Sequence, residues 1–176
     1  VDGVKYHSFM NTIYAIYNCA VVLTVMRLLG LDLQAANTVF KTFSMKEGRN
    51  EVFALSKPSV LNLIKNPTGA NEVMKYIVNQ EGDKNIAIFL NDNDQDGRDV
   101  SWIWDGKFEE LLSQADRPVL ISGLRADDLK QRIEVCGLTD EEILVEKNLN
   151  EITRCLQNLP NKKVYVLGRS SITRLE

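Results

Sequence analysis

The sequence predicts an α/β fold: a Rossmann-like open, mostly parallel sheet with helices on both faces, preceded by a short helical segment. Three observations carry that prediction. Beyond about residue 50, short apolar runs alternate with stretches of helical periodicity, the pattern of right-handed strand–helix–strand crossovers. The later apolar runs are continuous, as in Ile86-Ala87-Ile88-Phe89-Leu90, which strands covered on both faces require. A chain of 176 residues with 44% hydrophobic content suffices for one ordinary domain, or one domain plus a fragment.

The first segment reads as helical. From Met10 onward, Ile13, Tyr14, Tyr17, Ala20, Val21, Val25, Leu28 and Leu29 fall close to a 3.6-residue period, with Gly30 placed as the C-cap. Leu33, Ala36, Val39, Phe40 and Phe43 share one face of a second helix, expected over 33–43. Residues 45–50 read as a polar connection, so a domain boundary is expected near residue 50. Strands are then expected at 52–55, 60–64, 86–90, 119–122, 143–145 and 164–167. Helices are expected between them at about 69–80, 107–115, 126–136 and 149–159. The run Val100-Ser101-Trp102-Ile103-Trp104, β-branched and aromatic, favours extended chain. The turn Asn66-Pro67-Thr68-Gly69-Ala70-Asn71 suits a helix N-terminus.

Composition narrows the function classes. A net charge of −3 and a pI near 5.3 leave no electrostatic footprint for nucleic acid. Cys19, Cys136 and Cys155 are far apart and form no CxxC or metal-ligand spacing, which suits free thiols in a reducing compartment. His7 is the single histidine, so a Cys-His or Ser-His-Asp triad built by this chain alone would have to use it. The apolar stretch 15–29 is interrupted by Asn18, Thr24 and Arg27 and is too short for a membrane span. The opening Val reads as a fragment or a processed terminus.

The densest polar feature is Asn91-Asp92-Asn93-Asp94-Gln95-Asp96-Gly97-Arg98-Asp99, directly after the apolar run 86–90 and just before both tryptophans. Open α/β sheets gather ligands and catalytic groups at such strand ends. Three readings stand. Asp92, Asp94, Asp96 and Gly97 match the first half of a D-x-D-x-D-G calcium loop, but its position-twelve carboxylate is Ile103 here. Alternatively, Asp, Asn and Gly are turn formers on an ordinary acidic surface loop. In the third reading an aspartate is positioned to orient a histidine, which must then come from another chain.

The run from Leu90 to Asp105, with its Ser-Trp-Ile-Trp-Asp ending, resembles the signature of the MurT subunit family of lipid II isoglutaminyl synthases, relatives of the Mur ligases. Leu61-Asn-Leu-Ile-Lys-Asn-Pro-Thr-Gly-Ala-Asn-Glu-Val73 resembles that family's other C-terminal motif. Ile16-Tyr17-Asn18-Cys19-Ala20 and Gly48-Arg49-Asn50-Glu51 resemble the end of a Mur-ligase central domain. The resemblance implies that residues 1–50 are the helical tail of that central domain and 51–176 a Mur-ligase-like C-terminal domain. It implies a bacterial cytoplasmic protein acting at the inner membrane surface, with a class I glutaminase subunit (GatD-like) as partner. Together the two amidate the D-glutamate α-carboxylate of lipid II, using glutamine, ATP and Mg. This C-terminal part docks the glutaminase and lends an aspartate to its Cys-His pair.

Asp92, Asp96 and Asp99 coincide with fixed positions of the family motif, and Asp94 with a variable one. Asp92 is the favoured triad-completing residue because it lies just past the strand, with Asp99 and Asp96 next; the alternative is that all three are turn and cap residues. By the same resemblance Asn18 would contact adenine and Arg49 the nucleotide ribose, while Lys65, Asn66 and Asn71 would face the ligase cleft. Ala15 departs from the pattern where the family usually has a second Asn. No G-x-x-x-x-G-K-[ST] loop and no zinc-ribbon cysteines occur here. The isolated fragment is therefore expected to bind no cofactor and to be inactive by itself. Two rivals remain: a calcium-binding interaction module built on 92–97, and a Mur-type amino-acid ligase working without a glutaminase.

Overall fold

The computed structural model describes residues 4–8, 13–43, 49–54, 57–94, 96–160 and 163–168. The chain divides into two compact units, Val1–Lys46 and Glu47–Glu176.

In the first unit, α1 (Ile13–Leu28) and α2 (Leu33–Thr42) form a helical hairpin. The turn is a Schellman motif: Leu31 N–H donates to the Met26 carbonyl at 2.9 Å and Gly30 N–H to that of Arg27 at 3.1 Å. Asp32 then caps α2 by accepting from Gln34 N–H. Cys19, Leu23, Ala36 and Phe40 form the small core between the helices. Ile16, Tyr17, Val21, Val25 and Leu28 are exposed, so α1 is apolar on nearly every side, the pattern of a helix made for a larger core.

The second unit is built on a six-stranded sheet. Its elements are β1 (Arg49–Ala54), β2 (Pro58–Leu63), α3 (Pro67–Val78), β3 (Asn85–Phe89), α4 (Phe108–Gln114), β4 (Val119–Ser122), α5 (Ala126–Val135), β5 (Ile143–Val145), α6 (Leu149–Asn158) and β6 (Val164–Gly168). Strand order is β1-β2-β6-β3-β4-β5, with β1 antiparallel to β2 and all other pairs parallel. The chain steps outward from β2 to β5. It then returns through α6 and inserts β6 between β2 and β3.

The period-two alternation of strands sorts the core into two layers. Ile86, Ile88 and Leu90 face a cluster with Met74 and Ile77 of α3, Phe108 and Leu112 of α4, and Leu129 and Ile133 of α5. Ala87 and Phe89 face the other layer, with Ile152 and Leu156 of α6 and Val164 and Val166 of β6. Phe108 is fully buried, and such burial contributes about 1.5–3 kcal/mol.

Many boundaries shift by one to three residues from the sequence expectation, and three differences have a clear physical cause. β1 begins at Arg49, inside the expected connection, because Glu51 and Val52 pair with Leu61 and Val60 of β2. The helix expected from 69 begins at Pro67, where the missing N–H costs nothing in the first turn. The segment expected to be extended at 100–104 instead contains a 3₁₀ turn at Ser101–Trp104. Asp99 nucleates it by accepting from Ser101 N–H at 2.8 Å, and packing of Trp102 and Ile103 into the core outweighs their strand propensity. Residues 10–12, 45–48 and 55 of the expected elements lie outside the described residues.

Candidate functional site at the carboxyl ends of β3 and β4

The chain leaves β3 and β4 side by side, and backbone hydrogen bonds hold the two exits together. Leu90 N–H donates to the Ser122 carbonyl, and Arg125 N–H donates to the Leu90 carbonyl, both at 3.0 Å. Leu124 N–H donates to Asn91 Oδ1 at 2.8 Å. Gly123 makes this approach possible. Its φ is +102°, and a Cβ there would lie 2.2 Å from the Leu90 carbonyl oxygen.

The arrangement sets Asp92 against Arg125. Arg125 Nη1 donates to Asp92 Oδ2 at 3.2 Å, with side chains 36% and 29% exposed. The same guanidinium is gripped by Asp128 of α5, to which Nε and Nη2 donate at 2.7 and 3.1 Å. These bonds, Asp128's first and Asp92's second, raise the Arg125 pKa further above its ordinary value. The Arg125 hydrogen bond in turn holds the Asp128 carboxyl below the usual carboxylate range.

The other loop carboxylates have separate partners. Asp94 pairs with Arg98 at 3.0 Å in open solvent. Asp96 is buried inside the loop; its N–H donates to the Asn93 carbonyl and its Oδ2 accepts from Asn93 Nδ2 at 3.4 Å. Asp99 caps the 3₁₀ turn. The loop carboxylates thus diverge, and among the described residues no three His, Cys, Asp or Glu side chains stand where they could hold a metal ion.

Beside the Asp92–Arg125 pair opens a cleft of about 330 Å³, lined by Arg98, Asp99, Ser101, Trp104, Arg125 and Asp128 among others. The tryptophans divide: Trp102 is buried, while Trp104 is half exposed at the cleft. Behind it lies Arg132 of α5, which is 4% exposed. Arg132 donates from Nε to the Ile103 carbonyl at 3.1 Å, and from Nη2 to the Gly106 carbonyl at 2.8 Å and Glu109 Oε1 at 2.6 Å. Its guanidinium lies 5.9 Å from the Trp104 ring centre and 5.6 Å from that of Phe108. This one residue fastens the segment 103–109 to α5. The bond from Arg132 holds the Glu109 carboxyl below its ordinary range, and burial pushes the neighbouring Cys136 thiol up to about 11.

Sequence reasoning missed both arginines. Arg132 has a legible signal, since it shares a helical face with the core residues Leu129 and Ile133. Arg125 follows a strand end at the same rim as the acidic loop, where the strand-end rule points.

The remaining predicted positions lie elsewhere. Asn66 caps α3 by accepting from Gly69 N–H at 2.8 Å, and Asn71 accepts from Lys107 N–H at 2.7 Å, tying α3 to the start of α4. Lys65 is exposed between β2 and α3. Asn18 is exposed on α1, in the first unit, as is His7 ahead of it. The Arg49 side chain lies outside the described residues. No described helix is long and apolar enough to cross a membrane.

The family model for the MurT ligase C-terminal region matches residues 63–171. The chain is 32% identical over 169 residues to the lipid II isoglutaminyl synthase (glutamine-hydrolyzing) subunit MurT of Streptococcus pneumoniae, covering 96% of this chain and 38% of that protein. It is 34% identical over 154 residues to the subunit of the same name from Staphylococcus aureus, covering 87% of this chain and 35% of that protein. The chain therefore spans well under half the length of the curated relatives it matches. Among solved structures, UDP-N-acetylmuramate-alanine ligase MurC of Thermotoga maritima matches with a TM-score of 0.66 at 14% identity, over 92% of this chain and 35% of that one. MurF ligase of the same organism, in complex with ADP, matches with a TM-score of 0.63 at 15% identity, over 93% and 36%. At such identities the likeness is one of fold.

Proposed function

Because the chain belongs to the MurT ligase C-terminal family, we propose that it is the C-terminal part of an ATP- and glutamine-dependent carbon–nitrogen ligase that amidates lipid II. Its substrate is the D-glutamate α-carboxylate of the stem peptide, converted to D-isoglutamine by ammonia from a class I glutaminase partner. In this reading residues 1–50 are the tail of a central ligase domain and 51–176 the C-terminal domain. The protein works in the bacterial cytoplasm at the membrane face that carries lipid II. ATP with Mg, when bound, activates the carboxylate for attack by ammonia. No phosphate-cradling loop occurs in this chain and Asn18 offers one exposed amide, so these residues do not by themselves form an ATP site.

The role assigned to this chain is to dock the glutaminase and lend it Asp92. The observation that carries it is a rim carboxylate at the carboxyl end of β3, partly exposed and with one oxygen held by Arg125, in a chain whose single histidine belongs to the other unit. A carboxylate so placed suits completion of a Cys-His pair on a second protein. Accepting the Nδ1 proton of the partner's histidine fixes the tautomer in which Nε2 takes the thiol proton, then delivers it to the leaving amide nitrogen of glutamine. The half-exposed Trp104 beside the cleft suits the docking surface.

The test is Asp92→Asn in the full-length ligase bound to its glutaminase, scored by ammonia released from glutamine. Turnover is expected to fall by about a hundredfold to ten-thousandfold, as when a triad carboxylate is replaced by its amide. Wild-type turnover in that variant would overturn the assignment. A large fall in Asp96→Asn or Asp99→Asn instead would move the role to that residue.

A further inference from the structure

We propose that Arg125, held in place by Asp128, is a positioning residue that aims the Asp92 carboxylate at the partner's histidine. The inference deepens the reading of Asp92 given above and rests on it.

The grip on the guanidinium is unequal. Asp128 takes two of its donors, Nε at 2.7 Å and Nη2 at 3.1 Å. Asp92 takes one, Nη1, at 3.2 Å. The fork therefore belongs to α5, a helix whose core face is fully buried at Leu129 and Ile133. Its plane is held by Asp128 independently of Asp92. Asp92 sits in a loop, and a single Asp side chain there has two soft torsions. The bond from Nη1 to Oδ2 removes that freedom, and the carboxylate presents its second oxygen from a defined direction. The backbone helps, because Arg125 N–H donates to the carbonyl of Leu90, two residues before Asp92. Cation and carboxylate thus move as one body with the β3 and β4 exits. Among the described residues that line the cleft, the other charged groups are Arg98 and Asp99, and Arg98 is already paired with Asp94.

Orientation of this kind matters to turnover rather than to substrate affinity. A misplacement of about 1 Å in a catalytic group costs on the order of a hundredfold in rate. Lysine cannot replace the fork, because a single ammonium cannot grip Asp128 with two fixed donors and offer a third to Asp92 from a set direction.

The experiment uses the full-length ligase saturated with its glutaminase, so that differences in complex affinity cancel. Arg125→Met, Arg125→Lys, Asp92→Asn and the Met/Asn double variant are compared by steady-state glutamine hydrolysis. Arg125→Met is expected to lower kcat about tenfold to a hundredfold with KM for glutamine within about twofold. Arg125→Lys should fall between it and the wild type. In the Asp92→Asn background, Arg125→Met should cause no further loss, since a positioning residue has nothing left to position. Wild-type kcat in Arg125→Met, with Asp92→Asn impaired, overturns this proposal alone. An equal loss in both backgrounds also overturns it, since Arg125 then acts elsewhere. Wild-type kcat in Asp92→Asn overturns the Asp92 reading and this proposal with it. Should Arg125→Met fail to fold, Asp128→Asn carries the test, because it frees the fork and leaves its charge. A fall that disappears in the Asp92→Asn background supports the proposal, and wild-type kcat overturns it.

Discussion

Gly123→Ala is the substitution the geometry of the rim forbids most clearly, and Gly137→Ala is its internal control. The two glycines have nearly the same φ, +102° and +100°. They differ in what a Cβ would meet. At Gly137 there is nothing within 4 Å. At Gly123 the new carbon would lie 2.2 Å from the Leu90 carbonyl oxygen, 2.8 Å from the Leu90 carbonyl carbon and 2.7 Å from Asn91 Oδ1. The shared backbone term, an alanine at strongly positive φ, costs about 1–3 kcal/mol at both sites. The crowding term exists at Gly123 alone. To regain even a 3.0 Å approach, the two strand exits must separate by most of an ångström. That strains or breaks the bonds from Leu124 to Asn91 and from Arg125 to Leu90, each worth about 0.5–1.5 kcal/mol. Gly123→Ala should therefore cost about 1–3 kcal/mol more than Gly137→Ala. Urea unfolding followed by tryptophan fluorescence measures the difference. Trp102 and Trp104 are the only tryptophans and both lie in the Glu47–Glu176 unit, so the signal reports that unit alone. Equal midpoints for the two variants would refute the claim that the β3 and β4 exits are locked together through Gly123.

Other outcomes follow from the same contacts. Arg132→Met should destabilise the second unit by about 2–4 kcal/mol, because it strands two buried carbonyls, while the exposed Glu109 carboxylate keeps its water; a urea-unfolding loss below about 1 kcal/mol would show that the Arg132 network is dispensable. The Asp128 carboxyl is held down by Arg125, so its contribution to stability is complete above the unfolded carboxylate range and is lost as pH falls through its lower folded value. Stability should thus be flat from about pH 7 to 5 and fall below about pH 4, and Asp128→Asn should fall less steeply in acid. The Cys136 thiol, pushed up to about 11 by burial, should react with iodoacetamide far more slowly at pH 8 in the folded protein than in urea; equal rates would mean the thiol is open and unperturbed.

The layers of this fold are written locally and its junctions are not. The runs 119–121 and 143–145 are strands because three consecutive apolar, mostly β-branched residues in each leave a buried strand as the natural outcome. The start of α5 at Ala126 is equally plain from the period of Ala126, Leu129 and Ile133. The segment 101–104 shows where local reading fails. Its two tryptophans and isoleucine favour a strand by propensity, yet its shape is set by Asp99 beside it and by Arg132, 29 residues from Ile103. The candidate site follows the same rule. That the acidic loop leaves the carboxyl end of a strand is legible from 86–90. Which of its carboxylates meets a cation is not, since Arg125 lies 33 positions beyond Asp92 and reaches it only after β4 has been laid beside β3.

The placement of β6 has a consequence for how this unit is made. Synthesis runs from β1 towards β6, but β6 belongs in the middle of the sheet, between β2 and β3. Until it emerges, β2 and β3 have no shared neighbour, and each shows the ribosome-bound chain an open edge that can pair with other polypeptides. Of these six strands the one made last is the keystone. The acidic rim on β3 and the polar turn after β2 acquire a fixed spacing only when Val164–Gly168 lies between them, so the β3–β4 rim can form first and the sheet closes only once β6 has been made.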